Sequence, residues 1–201
     1  DYLTSTRDSS NSYSYHQYNY LHETGFSYIW DQKLGTTKHL NLNFVLPLKM
    51  EKRKLDYQRN ALDTAFTRHT TFLDPNLKIE ISDNNSEYNY YFNYDCQSSD
   101  PDMTYFVNVT DNTDPLNIIK GNTKLKSTHT HNFTLGYSGN FKNQKMLNIK
   151  LEYHAIRNAI AMGSLFYKST GVRTIKPDNI NGNWKGGFNI DYTTPLDKAR
   201  K

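Results

Sequence analysis

Few residues in this chain are of a type that does chemistry, and their spacing decides what each one admits. His129 and His131 stand at i and i+2, so on a strand they share one face; with His154 they offer the imidazoles a transition metal takes. No third ligand has the spacing of a closed metal site, so polar side chains at the rim or inner face of a sheet are the simpler reading. Asp100, Asp102, Asp111 and Asp114 fall in one irregular stretch beside Asn108 and Asn112, an oxygen-rich set of the kind Ca²⁺ uses. Their spacing departs from that of an EF-hand loop, and Asp and Asn in such a stretch also close turns. Asp100, Asp102, Asp111, Asp114 and Asn122 form the candidate ligand or loop surface.

Other groups point away from catalysis. Cys96 is the single cysteine, which excludes an internal disulfide, and no base stands beside it to make it a nucleophile. Gly182 and Gly186-Gly187 match no phosphate loop; a glycine in a strand more often marks a bulge or a close backbone approach. Lys49, Lys52, Arg53 and Lys54 make a basic cluster broken by Glu51, better read as a solvated strand end than as a phosphate site. The Asn-X-Thr triplets at Asn108 and Asn132 matter only in a eukaryotic secretory setting. No catalytic residue, cofactor or metal site is expected, and the chain is not read as an enzyme.

Composition bounds the elements that hold these residues. The chain has 201 residues, a formal net charge of +4, 36% hydrophobic and 14% aromatic residues, with 16 Tyr among them. The longest apolar runs are a few residues, such as Phe44-Val45-Leu46 and Ala159-Ile160-Ala161-Met162, far short of a spanning helix. Aromatic and β-branched residues are too frequent for a disordered chain. The charges are spread rather than gathered in a stripe, which argues against a nucleic-acid partner. No basic segment followed by an apolar run opens the chain, so no signal peptide is expected in it.

The dominant pattern has period two. Leu40, Leu42, Phe44, Leu46, Leu48 and Met50 alternate with a mainly polar set that includes Asn41, Asn43 and Lys49. Leu147, Ile149, Leu151 and Tyr153 alternate with Asn148, Lys150, Glu152 and His154, and Trp184, Gly186, Phe188, Ile190 and Tyr192 repeat the pattern. Shorter runs centre on Phe26–Trp30, Leu77–Ile81, Tyr88–Tyr94 and Phe133–Tyr137. Turn-forming residues lie between, at Asp83–Ser86, Ser138–Asn140, Lys142–Gln144 and Ser169–Gly171, so the runs pair as hairpins in an antiparallel up-and-down meander. From about 96 to 126 the rhythm fails, and a connection of that length is often functional. The expected organisation is a single all-β domain over 1–201, interrupted there.

Long alternation fits two architectures. In a membrane barrel the apolar face meets lipid and the polar face a wet lumen, and strands of about 9–11 residues match a tilted crossing. The candidate lipid-facing set is Leu40, Leu42, Phe44, Leu46, Leu48, Leu147, Ile149, Leu151, Trp184, Phe188 and Ile190. Tyr13, Tyr15, Tyr18, Tyr20, Tyr28, Trp30, Tyr88, Tyr90 and Tyr94 read as interfacial girdles, with sugar stacking as the other reading of the Tyr-rich start. The alternative is a soluble β-sandwich or small barrel that binds carbohydrate or protein; it predicts Leu40–Met50 and Leu147–Tyr153 buried against each other.

Three segments carry a family resemblance. Asp114-Pro115-Leu116-Asn117-Ile118-Ile119-Lys120-Gly121-Asn122, continuing to Lys126 and then Thr130-His131-Asn132-Phe133, resembles a pattern of outer-membrane β-barrel proteins of Bacteroidetes that are similar to the barrel of TonB-dependent receptors. Leu46-Pro47-Leu48 with Leu55-Asp56-Tyr57-Gln58-Arg59, and Asn179-Ile180-Asn181-Gly182-Asn183-Trp184 with Phe188 and Thr194-Pro195-Leu196, resemble other strands of that family. Thr123 stands where the family form has Pro, and the chain ends Asp197–Lys201 rather than on a terminal aromatic strand. The resemblance implies a bacterial outer-membrane location and uptake of a nutrient such as a metal chelate or glycan. It implies outer-membrane lipid, a plug, an inner-membrane energy-coupling complex and a surface lipoprotein as partners. Such transporter barrels have around 22 strands, against about 9–11 expected here at ordinary spacing. A fragment of a larger barrel is therefore expected, with open sheet edges that can drive oligomerisation.

Overall fold

The computed structural model describes residues 12–59, 62–83, 87–107, 110–111, 114–142 and 144–195. Twelve strand segments are present among them: β1 (Ser14–Leu34), β2 (Lys38–Arg59), β3 (Leu62–Leu73), β4 (Asn76–Asp83), β5 (Tyr88–Ser99), β6 (Thr110–Asp111), β7 (Asn117–Lys120), β8 (Thr128–Phe141), β9 (Lys145–Arg157), β10 (Ala159–Tyr167), β11 (Val172–Ile180) and β12 (Asn183–Thr193). The one helical element is a 3₁₀ turn at Met103–Phe106.

Register joins several segments into longer strands. β3 and β4 both pair antiparallel with β2, Leu48 opposite Leu73 and Val45 opposite Asn76, so two residues are skipped on each side and the offset is unchanged. The skipped residues include Pro47 and Pro75, which have no N–H to give a ladder; Asp74 N–H donates to the Pro47 carbonyl instead. In the same way Ile156 pairs with Asn183 and Ala159 with Ile180, so β9–β10 and β11–β12 form one long hairpin with a kink. The kink sits at Asn158 (φ 53°) and Gly182 (φ 94°). Asn158 N–H donates to Asn181 Oδ1 at 2.8 Å, and Asn179 Nδ2 donates to the Asn158 carbonyl at 2.8 Å. The Asn-rich segment before Trp184 thus repairs the hydrogen bonds that the bend breaks, and Gly182 takes a backbone conformation costly for other residues.

Counted by continuous ladders, the wall is seven antiparallel strands in chain order: β1, β2, β3–β4, β5, β8, β9–β10 and β11–β12. The expectation of about 9–11 lies between this number and the segment count. The longest ladder joins β1 to β2 from Ser14 opposite Gln58 to Leu34 opposite Lys38. Among the described residues β1 and β12 are the two ends of the main sheet, and the barrel is not closed.

Residues directly opposite in an antiparallel pair point to the same face. One row therefore runs Trp30, Leu42, Ile79, Phe92, Leu135, Leu151, Phe188 across all seven strands. The next rows run Tyr28, Phe44, Leu77, Tyr94, Phe133, Tyr153 and Leu40, Ile81, Tyr90, Tyr137, Ile149, Ile190. Side chains in this band are open to the surroundings: Leu135 is 52% exposed, Phe188 63%. Leu40–Met50 and Leu147–Tyr153 thus lie in one sheet on one face, not packed against each other as a sandwich requires. The opposite face carries Asn41, Asn43, Lys78, Glu80, Asn93, Thr134, Lys150, Glu152 and Asn189.

The buried cluster is small and lies off centre. Leu55, Tyr57, Met103, Phe106, Val107 and Leu125 form it, with Phe66 and Tyr105 packed alongside. Leu55 and Tyr57 occupy odd positions of β2, on the polar face, where the segment between β5 and β8 folds over them.

Candidate functional site

The polar face and the segment between β5 and β8 meet at one end of the sheet. At the other end only a few residues separate β1 from β2, β4 from β5 and β8 from β9. The crossing segment leaves β5 at Ser99, turns through Met103–Phe106, and sends β6 and β7 out as a short hairpin. β7 then pairs in parallel with β11, Arg173 opposite Asn117, giving a second sheet in the order β10, β11, β7, β6.

Buried polar groups fix the segment to the wall. Asp100 has a fully buried side chain, with Arg68 Nε 3.2 Å from Oδ1. Ser127 Oγ donates to the same oxygen at 2.5 Å, and Thr70 Oγ1 donates to Oδ2 at 2.6 Å. Arg68 also donates to the Leu125 carbonyl at 3.3 Å and lies over the Phe106 ring, 4.9 Å from its centroid. Arg53 donates to the Pro101 carbonyl at 2.9 Å. A buried carboxylate persists when a cation and further donors meet its oxygens, and here they come from β3 and from Ser127 at the far end of the segment. Phe106 stacks on Phe66 with ring centroids 5.1 Å apart.

Asn122 makes the second attachment. Its Nδ2 donates to the Pro177 carbonyl (2.9 Å) and to Asp178 Oδ1 (3.0 Å), and its Oδ1 accepts from Lys124 N–H (3.0 Å). Its backbone N–H donates to the Tyr105 carbonyl. Gly121 makes this approach feasible, because a Cβ there would sit 1.9 Å from the Val107 carbonyl oxygen. Steric room, not dihedral freedom, is why glycine stands at that position.

The remaining predicted loop residues close turns. Asp102 Oδ1 caps the 3₁₀ turn by accepting from Thr104 N–H at 2.8 Å. Asp114 accepts from Asn117 Nδ2 (2.7 Å) and from Leu116 N–H (2.9 Å), and these donors, the Asn117 amide foremost, hold its carboxyl below the usual range. Asn108, Asn112 and the side chain of Asp111 lie outside the described residues. The four of the five predicted residues whose side chains are described are therefore dispersed: Asp100 bonds to β3, Asn122 to β11, and Asp102 and Asp114 close separate turns.

The histidines separate by face. His131 and His129 lie on the apolar side of β8, where His131 Nδ1 is 3.0 Å from Tyr94 Oη and His129 Nδ1 2.8 Å from Ser98 Oγ. His154 points to the polar side, its Nδ1 2.5 Å from Asn132 Oδ1. Asn132 in turn donates to Asp95 at 2.9 Å. Among the described residues no three His, Cys, Asp or Glu side chains gather as a metal set. The polar face continues this pattern of short links, with Asn89 to Glu80 at 2.7 Å and Lys150 to Glu152 at 2.7 Å. Tyr91 lies flat over Gly136, whose Cβ would meet the ring.

The tyrosines assigned to one girdle also divide. Tyr18 and Tyr20 pair with Lys54 and Lys52 on the apolar side, just past Met50. Tyr13, Tyr15 and Tyr57 stack on the polar side, Tyr13 lying 5.5 Å from Tyr57 and 6.3 Å from Tyr15. Sequence reasoning missed this cluster and the Arg53 and Arg68 anchors, although a signal was present. Along β2 every even position from Leu40 to Met50 is apolar, while past it the apolar residues Leu55 and Tyr57 stand at odd positions. That reversal means the two faces exchange surroundings partway along the strand.

A family model described as "Outer membrane protein beta-barrel family" matches residues 33–200. No curated protein matches the chain. Among solved structures, the crystal structure of the siderophore receptor PirA from Pseudomonas aeruginosa aligns with a TM-score of 0.45 at 11% identity, over 92% of this chain and 48% of that one. The chain thus spans about half the length of that receptor.

Proposed function

The chain belongs to the outer membrane protein β-barrel family, and on that premise we propose that it is a stretch of barrel wall whose apolar face meets lipid and whose polar face lines a path for a nutrient. The protein is an outer-membrane protein, so lipid is part of its surroundings. The observation that carries the proposal is the apolar row from Trp30 to Phe188, continuous across seven strands. From Leu40 to Met50 the band is about 34 Å along the strand at ~3.4 Å per residue, or about 25 Å of height at the tilt of such barrels. All eleven residues named from the sequence as lipid-facing fall on the apolar face.

Short turns face the periplasm in these barrels and long connections face outward. That rule puts the short connections of the sheet inside and the crossing segment, with the tip of β10–β11, at the external mouth. The cargo is a nutrient such as a metal chelate or glycan, moved without covalent change. Its passage draws on a plug, an inner-membrane energy-coupling complex and a surface lipoprotein. Further strands complete the barrel at the open edges of β1 and β12.

The two tryptophans test the assignment. Trp30 and Trp184 are the only ones in the chain, and both lie on the apolar face. In vesicles of brominated lipid their fluorescence is expected to be strongly quenched, with little quenching by aqueous iodide. Iodide quenching with no effect of brominated lipid would reverse the face assignment and sink the proposal.

A further inference from the structure

The apolar face of the wall changes at its upper edge, the end nearest the crossing segment. Trp184 is the topmost large apolar side chain of that face on β12, and level with it stand Ala155 on β9 and His131 on β8. Two residues further along β9, on the same face, Arg157 lies opposite His129. A groove of about 360 Å³ opens here, where the two long strands bend. Tyr153, Trp184 and Arg157 line it together with Asn158 and Asn181 of the bend.

These parts suit one kind of ligand. Trp184 is 68% exposed and Tyr153 45%, with ring centroids 6.1 Å apart. Gly186 stands opposite Tyr153 and leaves a gap in the row; the Trp184 ring reaches to 3.8 Å from where a Cβ would be. Two open rings at one level form a surface against which the C–H face of a sugar packs. Arg157 is exposed and has no ion-pair partner among the described residues. A guanidinium grips a phosphate through two parallel N–H···O bonds. Directly below the rings, Leu151 and Phe188 continue the apolar band. A ligand in the groove is therefore continuous with the lipid-facing surface, and acyl chains attached to it have a place to lie. An interfacial girdle accounts for the rings. It does not account for an unpaired cation in a groove beside them, which is how basic pockets at a membrane boundary hold anionic headgroups.

We propose that this groove holds the headgroup of a phosphorylated glycolipid of the external leaflet. Arg157 takes the phosphate, Trp184 and Tyr153 pack against the sugar, and the acyl chains run down over Leu151 and Phe188. The inference rests on the apolar face meeting lipid, and adds to it a class of lipid and a place where that lipid is held.

The test is native mass spectrometry of the full-length protein in neutral detergent. The protein is titrated with lipid A, with lipid A stripped of its phosphates, with phosphatidylglycerol and with glucosamine 1-phosphate. Lipid A is expected to bind at least about tenfold more tightly than each of the other three. Arg157→Gln should weaken that binding about tenfold, and Trp184→Leu, which keeps an apolar side chain, about three- to tenfold. Lys52→Gln removes a charge just past the band on β2, away from the groove, and should leave the affinity unchanged. Equal binding of the stripped lipid or of phosphatidylglycerol would mean that the phosphate or the sugar is not read, and equal binding of glucosamine 1-phosphate would make the ligand a soluble one. Any of these overturns the proposal. So does unaltered affinity in both groove variants, or a loss in Lys52→Gln equal to that in Arg157→Gln. Tryptophan quenching by brominated lipid is measured alongside; in Trp184→Leu it reports Trp30 alone. Quenching retained without a preference for lipid A defeats this proposal and leaves the wall assignment standing, whereas quenching absent from the unmodified protein defeats both.

Discussion

Replacing Asp100 with Ala should release the crossing segment from the wall. The carboxylate is fully buried and holds Arg68, Thr70 and Ser127 together. Removing one partner of a buried ion pair costs about 3–5 kcal/mol, because the other is left uncompensated. Arg68 keeps 19% exposure, so water can reach part of the guanidinium and the lower figure applies. At about 1.4 kcal/mol per decade, ~3 kcal/mol multiplies the opened population by about a hundredfold. Trypsin reads that population, since cleavage at Lys120, Lys124 and Lys126 needs the segment to leave the wall. Lys168, in the exposed β10–β11 tip, is the internal standard, and its cleavage should not change. Asp100→Asn keeps the shape and some hydrogen bonding, so its rate should fall between wild type and Ala. A change below about threefold at the three lysines in Asp100→Ala would show that the apolar contacts of Met103 and Phe106 alone hold the segment. A matching rise at Lys168 would mean general unfolding; either result refutes the reasoning.

Gly121→Ala pushes a Cβ to 1.9 Å from the Val107 carbonyl oxygen; overpacking of this kind costs about 1–3 kcal/mol, and the same protease assay should show faster cleavage at Lys124. Leu135→Arg, near the middle of the apolar band, is expected to cost about 2–4 kcal/mol in urea unfolding from lipid vesicles, while Thr134→Arg on the opposite face changes little; equal costs would reject the face assignment. For Asp114, the folded pKa lies below the unfolded value, so its contribution is present above the ordinary carboxylate range and lost as pH falls through the lowered pKa. A carboxyl ¹³C titration should therefore show a midpoint for Asp114 below that of an exposed aspartate, and a midpoint at or above it contradicts the turn geometry.

The legible part of this structure is the part that repeats. An alternating strand declares its face residue by residue, and a slip of one position would turn Leu40, Leu42 and Phe44 to the polar side, so register and composition carry the same information. The antiparallel meander and its apolar band followed from that, whereas the count of about 9–11 strands did not, because bends within two of the ladders divide single long strands into separate runs. The stretch from about 96 to 126 was legible as irregular, although β5 runs on to Ser99, but it was not legible as a docked element. Its anchors are single side chains on distant strands, Arg53 and Arg68 on one side and Pro177 and Asp178 on the other, with no periodicity to connect them. The aspartates drew attention because carboxylates can bind ligands. Asp100, Asp102 and Asp114 instead accept hydrogen bonds from the chain itself, a role that composition alone does not separate from the first.

The exchange of faces along β2 links the wall to the mouth. From Leu40 to Met50 the even side chains are apolar, as a lipid boundary requires. From Lys52 to Gln58 the even positions are all polar, while Leu55 and Tyr57 bring apolar groups to the other side. A strand that continued in one phase would either carry lipid-facing leucines into water or leave the crossing segment nothing apolar to rest on. Breaking phase just past Met50 avoids both. Partners across the ladder follow suit: Phe66 lies opposite Leu55 and Tyr15 opposite Tyr57, on the face that receives the segment. The height at which lipid gives way to water is therefore written in the same strand that supplies the apolar floor on which the crossing segment rests. Moving the phase break by two positions would place Lys52 within the apolar band and draw Leu55 away from Phe106 and Met103, so the membrane boundary and the docking of the segment cannot vary independently.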